Sequence, residues 1–350
     1  MTIREIAALA GVSRSTVSLV LNESPLVKKE TREKVLRVIR ETGYVPNASA
    51  RSLNWRSTRC LGIIVLSDQQ RGPNYDFSMP IGLFSLNVMR GITSRLADSP
   101  YSVFVEYYSY EQEQAEKVSK QSPLTLPRLI RERKIDGAFL VGGFCTEGLL
   151  SAAAATGIPL ITVGVGADTP LCDSVISDPA QGTRDGLMRL YESGRRDPAL
   201  LNCPRTFRSA AMREEGMRRF CEETGLHFKP ENVMYCSRHN NGENAYEAVK
   251  AAWESGVRFD SLITANPGLA LGAMRYFAEK QLRIPQDISI VAYEDNAMCG
   301  YVTPPLTAVN IQKERMGEEA AELMLRRLAE PEMKNQLVVV PSYLVERASV

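Results

Sequence analysis

Thr2-Ile-Arg-Glu-Ile-Ala-Ala-Leu-Ala-Gly-Val-Ser-Arg-Ser-Thr-Val-Ser-Leu-Val-Leu-Asn22 opens the chain and decides how the rest is read. Thr2 and Glu5 form an [ST]-x-x-[DE] capping box, in which each side chain satisfies a backbone N–H at a helix start. Ile3, Ile6, Ala7 and Ala10 then fall on one buried stripe. Gly11 supplies the left-handed backbone that a sharp turn needs, and Ser13 is placed to cap a second helix. In that helix Val17, Val20 and Leu21 repeat the helical spacing. Small Ala7, then Gly11, then Val17 lets two helices cross closely, the pattern of a helix-turn-helix that reads DNA. Short motifs also arise in helical hairpins that bind nothing, so the next forty residues carry the decision.

A turn leads to a third predicted helix, roughly 29–42, with Val35, Val38, Ile39 and Thr42 facing inwards and Gly43 in the C-cap position. Tyr44-Val-Pro46 stops it, because proline disfavours helical geometry in the residue before it. The following segment, Asn47-Ala-Ser-Ala-Arg-Ser-Leu-Asn-Trp55, holds good helix formers with Asn47 as a cap but has no wide apolar stripe. A helix this short is marginal in water, and DNA or a partner chain is the natural support. Residues 1–59 contain 11 Lys/Arg against 5 Asp/Glu, a net of +6, inside a chain whose total is +1. A basic head on an acidic body is what a phosphate-contacting module requires, although a solvated basic helix face gives the same bias.

Residues 2–22, followed by Tyr44-x-Pro-Asn-Ala-x-Ala-Arg-Ser-Leu53, resemble the headpiece and hinge of the lactose/galactose/purine repressor family (LacI/GalR). That resemblance implies DNA contacts from Ser13, Arg14, Ser15, Ser18, Leu19, Asn22, Asn47, Arg51 and Leu53. Arg14, Ser15 and Leu19 stand where the family's recognition helix meets base edges, and Leu53 where a hinge leucine enters the minor groove as a wedge. Competing readings stand beside these. Arg14 can contact phosphate alone, Ser15 can serve the helix start, and Leu53 can pack on its own domain. Arg51 reads as structural or phosphate-bound rather than base-reading. Leu19 should point outwards, since its neighbours face in, and there it can meet a thymine methyl.

The remainder of the 350 residues is long enough for one or two further domains. Apolar runs recur at 61–66, 103–108, 137–141, 160–165, 199–202, 233–236, 262–264, 288–293 and 306–311. Between them lie helical patterns at 89–97, 182–191, 213–223, 245–254 and 269–280. Strand-helix alternation predicts parallel sheets with helices on both faces, and two sheets fit the length better than one. The expected class is thus a small all-α headpiece followed by an α/β body of doubly wound parallel sheets.

The resemblance continues through Val175-Ile-Ser-Asp178, Arg213-Glu-Glu-Gly216, Leu282–Glu294 and Thr303-Pro-Pro-Leu-Thr307. It implies a two-lobed periplasmic-binding-protein-like body with a small effector between the lobes. The implied divisions are a headpiece at 1–46, a hinge at 47–58 and a body at 59–350. The N-lobe would hold about 59–178 and 309–327, the C-lobe about 179–308 and 328–350. By the same resemblance Ser67, Phe77, Asp178, Arg213, Asn266 and Glu294 line the effector cleft, which in open α/β sheets lies beyond the carboxyl ends of the strands. Four of them have a structural alternative: Arg213 as a surface cation, Glu294 as a loop cap, Asp178 as a helix start before Pro179, Phe77 as core filling. The chain also departs from the family, with Pro267 where an Asp is usual, Glu294 in place of Asp, and longer segments at 69–80 and 119–127. A carbohydrate is the default effector, and the two behaviours of inducer and corepressor stay open.

No apolar run approaches 18 residues and no signal peptide precedes the headpiece, so a cytoplasmic location is expected. Seven cysteines without a C-x-x-C pair read as reduced core residues. Two histidines, His227 and His239, give little material for a metal site or a Ser-His-Asp triad. Gly164-Val-Gly166 lacks the rest of a phosphate loop, and no cofactor is expected. The reading is a DNA-binding regulator, most simply a repressor, working as a homodimer on a palindromic operator and not as an enzyme. The body ends at Leu344–Val350 without a heptad helix, which predicts a dimer and not a tetramer. Two alternatives are a doubly wound sugar-modifying enzyme with a DNA-binding head, and a cytoplasmic solute-binding protein.

Overall fold

The computed structural model describes residues 1–21, 24–44, 57–67, 81–109, 126–142, 145, 147–164, 171–205, 207–236 and 241–350. Their contacts divide into two units, Met1–Thr58 and Arg59–Val350. The first unit holds α1 (Ile3–Ala10), α2 (Arg14–Leu21) and α3 (Lys29–Thr42). Its core is small: Ile6, Ala7, Ala10, Val17, Val20 and Val35, with Val38, Ile39 and Tyr44 packed against it. Gly43 closes α3 in the left-handed conformation, as its position predicts.

The second unit contains two six-stranded sheets. The first is built from β1 (Cys60–Ser67), β2 (Ser102–Ser109), β3 (Gly137–Val141), β4 (Leu160–Val163), β5 (Asp173–Ile176) and β11 (Leu337–Val339), in the order β11-β5-β4-β3-β1-β2. The second comprises β6 (Pro198–Asn202), β7 (Val233–Tyr235), β8 (Ser261–Thr264), β9 (Ser289–Tyr293), β10 (Thr307–Asn310) and β12 (Tyr343–Val345), in the order β12-β10-β9-β8-β6-β7. All pairings are parallel except β10 with β12, an antiparallel edge of the kind such sheets tolerate. Connecting them are α4 (Ile81–Leu96), α5 (Glu147–Ala154), α6 (Pro179–Glu192), α7 (Arg208–Thr224), α8 (Gly242–Glu254), α9 (Pro267–Glu279) and α10 (Lys313–Ala329).

Alternation along each strand decides which layer a residue enters. Leu61, Ile63 and Val65 meet α4 and α10, while Ile64 and Leu66 face the layer containing α5. In the second sheet Ile290 and Ala292 face the layer of α8 and α9, and Val291 and Tyr293 face that of α6 and α7. Where α10 crosses α4 the backbones touch: a Cβ on Gly91 would lie 1.9 Å from the Glu314 carbonyl oxygen, and one on Gly317 2.1 Å from that of Val88.

Three strands were not expected (β5, β11 and β12), nor were α5 and α10. The chain crosses between sheets at Ser177–Asp178 and at Ile311–Gln312. The third crossing corrects the expected one near Arg327. Residues 337–339 still pair with β5, so the chain leaves the first sheet only between Val340 and Tyr343. The cause is the side chain of Arg327 itself, which is buried against Asp173 of β5 and holds this segment in the first sheet.

Gly317→Ala should cost about 1–3 kcal/mol, the usual range for overpacking a filled interface. Gly300, whose Cβ would meet nothing within 4 Å, provides the comparison, and Gly300→Ala should stay within about 0.5 kcal/mol. Urea unfolding of both variants measures the difference.

Candidate functional site

In the N-terminal unit the turn is built as its sequence requires. Thr2 N–H donates to Glu5 Oε2 at 2.7 Å and Glu5 N–H to Thr2 Oγ1 at 3.4 Å. Gly11 is left-handed, with φ 61°. Thr16 N–H donates to Ser13 Oγ at 3.0 Å, so Ser13 caps α2. The Ser15 hydroxyl lies 2.7 Å from the same Ser13 oxygen, which ties Ser15 to the helix start. Val17 and Val20 take the buried side of α2, leaving Arg14 and Ser15 exposed, Ser18 half-buried and Leu19 39 % exposed. Asn22, Asn47, Arg51 and Leu53 lie outside the described residues.

The second candidate site forms at the carboxyl ends of β8 and β9. Arg213, on the second turn of α7, is buried, and its guanidinium carbon sits 4.8 Å from the centre of the Tyr293 ring. Gly216 brings α7 against the start of α6, where a Cβ would meet the Ala180 carbonyl oxygen at 2.3 Å. The Tyr293 ring is also pressed onto Gly182 of α6, where a Cβ would lie 2.7 Å from Cε2. The Tyr293 hydroxyl donates to the Asp178 carbonyl at 3.4 Å. Burial pushes the phenol up to about 12, with the nearby Arg213 cation opposing that rise.

Arg213, Asp178 and Glu294 therefore meet around Tyr293. Asn266 joins them on the same sheet edge, two residues beyond Thr264, which pairs with Ala292. Two of the expected ligands also do structural work. Asp178 Oδ1 caps α6, accepting from Ala180 and Gln181 at 2.9 and 3.1 Å. Asn266 caps α9, accepting from Leu269 at 2.9 Å, with Pro267 at the first helical position, where its missing N–H costs nothing. Glu294 has φ 69°, an uncommon left-handed backbone for this residue type. Its carbonyl and that of Asp295 turn to Lys313 Nζ, at 3.2 and 3.0 Å. Ser67 ends β1, its side chain outside the described residues, as is the whole of Phe77.

Tyr293, Lys313, Ser209 and Cys203 are additions to the expected set. Ser209 and Cys203 accept from Arg213 Nη1 at 3.1 and 3.5 Å. Tyr293 could have been found from the period-2 alternation of 288–293, which turns it towards α6 and α7. Lys313 carried no such signal, because a buried lysine at a helix start looks like any surface charge. All seven cysteines are free thiols, and burial pushes those of Cys145 and Cys236 up to about 12, well away from reactivity.

Residues 2–47 match the profile of bacterial regulatory proteins of the lacI family, and residues 187–350 that of a periplasmic binding protein-like domain. The headpiece is thus similar to that of the lacI family, and the body to a periplasmic binding protein-like domain. The HTH-type transcriptional repressor PurR of Pasteurella multocida (strain Pm70) is 29% identical over 350 residues, covering 100% of this chain and 98% of the relative. The structure of the lac repressor dimer bound to operator and the anti-inducer ONPF is 25% identical, with a TM-score of 0.81 over 100% of this chain and 98% of that one. A transcriptional regulator CelR–cellobiose complex is likewise 25% identical, with a TM-score of 0.71 over 100% of both chains. The chain thus joins a headpiece like those of bacterial regulatory proteins to a body like a periplasmic binding protein domain. Among the described residues no helix is long and apolar enough to cross a membrane, and no group of three His, Cys, Asp or Glu is placed to hold a metal ion.

Tyr293 gives this periplasmic binding protein-like body an alkaline signature. The phenol's folded value, about 12, exceeds its ordinary 10.0, so the protonated form is favoured in the folded state. Its stabilisation is complete below the unfolded value and is lost as pH rises towards the folded one. Tyr293→Phe should therefore flatten the fall in urea midpoint between about pH 9 and about pH 11. An unchanged pH profile would mean that the phenol titrates normally.

Proposed function

We propose that the chain is a ligand-responsive repressor that binds a palindromic operator as a homodimer. The observation that carries this reading is the division of α2 into two faces. Val17 and Val20 consume its buried side, which leaves Arg14, Ser15 and Leu19 outward on a basic module. A two-fold pair of such helices matches two half-sites of one duplex. Arg14 reads a base edge, Leu19 contacts a thymine methyl, and Ser13, Ser15 and Ser18 fix the helix on the backbone. Asn22, Asn47, Arg51 and Leu53 complete the contact set by the family resemblance, with Leu53 as the minor-groove wedge. The lac repressor bound to operator and the PurR repressors support the operator and the repressing role.

The effector site is the edge formed by Arg213, Tyr293, Asp178, Asn266 and Glu294, with Ser67 and Phe77 contributed from the other lobe. The CelR–cellobiose complex supports a sugar-like ligand frame. A DNA-bound regulator of this kind works in the cytoplasm. The domain division follows the same reading: headpiece 1–46, hinge 47–58 and body from 59 onwards.

Selection of bound duplexes from a random pool tests the whole reading, and an enriched palindrome is the expected result. Arg14→Ala should lower affinity for the selected operator by about tenfold or more and relax preference at one base pair. A uniform loss over all sequences, with the salt slope reduced by about one contact, would make Arg14 a phosphate ligand only. Leu53→Ala should weaken operator binding far more than non-specific binding, and equal losses would reject the wedge.

A further inference from the structure

The guanidinium of Arg213 is electrostatically unfinished. The residue is 5 % exposed, and only Nη1 is used, donating to the Ser209 hydroxyl and the Cys203 sulfur. Nε is shut off from solvent and donates to nothing. Among the described residues no carboxylate pairs with it, whereas the other buried arginine, Arg327, and the partly buried Arg347 are each matched to one. Arg327 is gripped by both oxygens of Asp173 at 2.9 Å, and Arg347 meets Asp295 at 2.8 Å. Burying a cation without its counter-charge is costly.

The surroundings do not supply that charge. Asp178 is turned to the amides of α6, and Asp295 is committed to Arg347. Glu214, next to Arg213 in sequence, is bonded to Tyr235 and Arg218. Glu294 is half-exposed and makes no ion pair with Arg213. A second buried cation, Lys313 at 7 % exposure, is held among the described residues by the carbonyls of Glu294 and Asp295. Arg213 on the Tyr293 ring and Lys313 on the next two carbonyls thus flank one turn. With Nε closed off, the donor left without a partner among the described residues is Nη2, whose charge-assisted N–H groups can donate to an oxygen of a carboxylate or phosphate.

We propose that the effector carries an oxyanion, a carboxylate or a phosphate group, that docks on the Nη2 side of the Arg213 guanidinium beside Lys313. The proposal rests on the reading that this sheet edge is the effector site. It narrows the ligand from a neutral sugar to an acidic one, a sugar acid or a sugar phosphate.

Thermal unfolding of the full-length protein at constant ionic strength tests it, with acetate and inorganic phosphate replacing chloride as oxyanion probes. D-glucose and cellobiose serve as neutral probes. At least one oxyanion should raise the Tm of the wild type by about 2–4 °C and leave Arg213→Met unmoved. The preference between acetate and phosphate then separates a carboxylate effector from a phosphate one. Without oxyanion, Arg213→Met should unfold no earlier than the wild type, since it removes a buried unpaired charge, and Arg213→Lys should keep part of the oxyanion response. An equal oxyanion shift in wild type and Arg213→Met, no oxyanion shift in either, or a response to the neutral sugars alone overturns the proposal. Binding to the selected operator in the same preparations separates the two levels of inference. Operator binding that responds to a neutral sugar keeps the regulator reading and sinks the oxyanion, while failure to select any operator sinks the reading beneath it.

Discussion

The buried ion pair between Arg327 and Asp173 governs how the end of the chain is arranged. Both Asp173 oxygens accept from the guanidinium at 2.9 Å, and the side chains are 9 % and 1 % exposed. Removing one partner of such a pair typically costs about 3–5 kcal/mol, because the other charge is stranded. The pair also organises its surroundings. The loop after α10 wraps the guanidinium with the carbonyls of Pro331, Met333 and Lys334, and the Gln336 N–H returns to Asp173 at 2.7 Å. Ser174 N–H donates to the Gln336 carbonyl at 2.9 Å, which starts the pairing of β11 with β5. One charge pair thus joins a strand, a helix and a returning strand, and it keeps α10 in the first lobe against α4.

Because the chain returns in this way, three crossings run between the sheets, and the residues around Tyr293 are wired to them. Tyr293 bonds the carbonyl of Asp178 in the first crossing. Gln312, in the second, has φ 52°, takes its N–H to Asn310 Oδ1 at 2.8 Å and reaches the Pro341 carbonyl of the third at 2.7 Å. Lys313 then ties the start of α10 to the turn at Glu294. A ligand gripping Arg213 and Tyr293 acts on groups bonded to the segments about which the lobes would move. A ligand with different affinity for two lobe angles shifts their populations, and this wiring shows how one small contact reaches both lobes.

Much of this was legible in the sequence, and the failures share a cause. The helix-turn-helix could be read because capping, turn glycine and apolar spacing are local rules that agreed with one another. Most strands could be read because they are buried on both faces and leave continuous apolar runs. β5 was hidden by the aspartate that begins it, and α10 by a buried stripe made partly of Gly317, Ala320 and Ala321 between Lys313 and Arg327. In both, long-range pairing lets charged residues occupy positions that a local pattern assigns to solvent. Asp178 and Asn266 show the converse: their capping role is local, whereas their neighbourhood around Tyr293 exists only once the sheet has formed.

Three arginines in this body answer three different problems with the same group. Arg327 closes a lobe and is matched to a carboxylate inside the protein. Arg347 reaches Asp295 at 2.8 Å and the Leu306 carbonyl at 2.7 Å, anchoring the last strand beside the site. Arg213 is as buried as Arg327 but is offered a hydroxyl, a thiol and an aromatic face, which hold a guanidinium in place without neutralising it. A protein that needed only a rigid strut there would gain by pairing the charge, as it does at Asp173, or by replacing it with an apolar side chain. Holding the cation fixed and uncompensated instead makes the charge available to a ligand, so the cost of burial becomes binding energy when the counter-charge arrives.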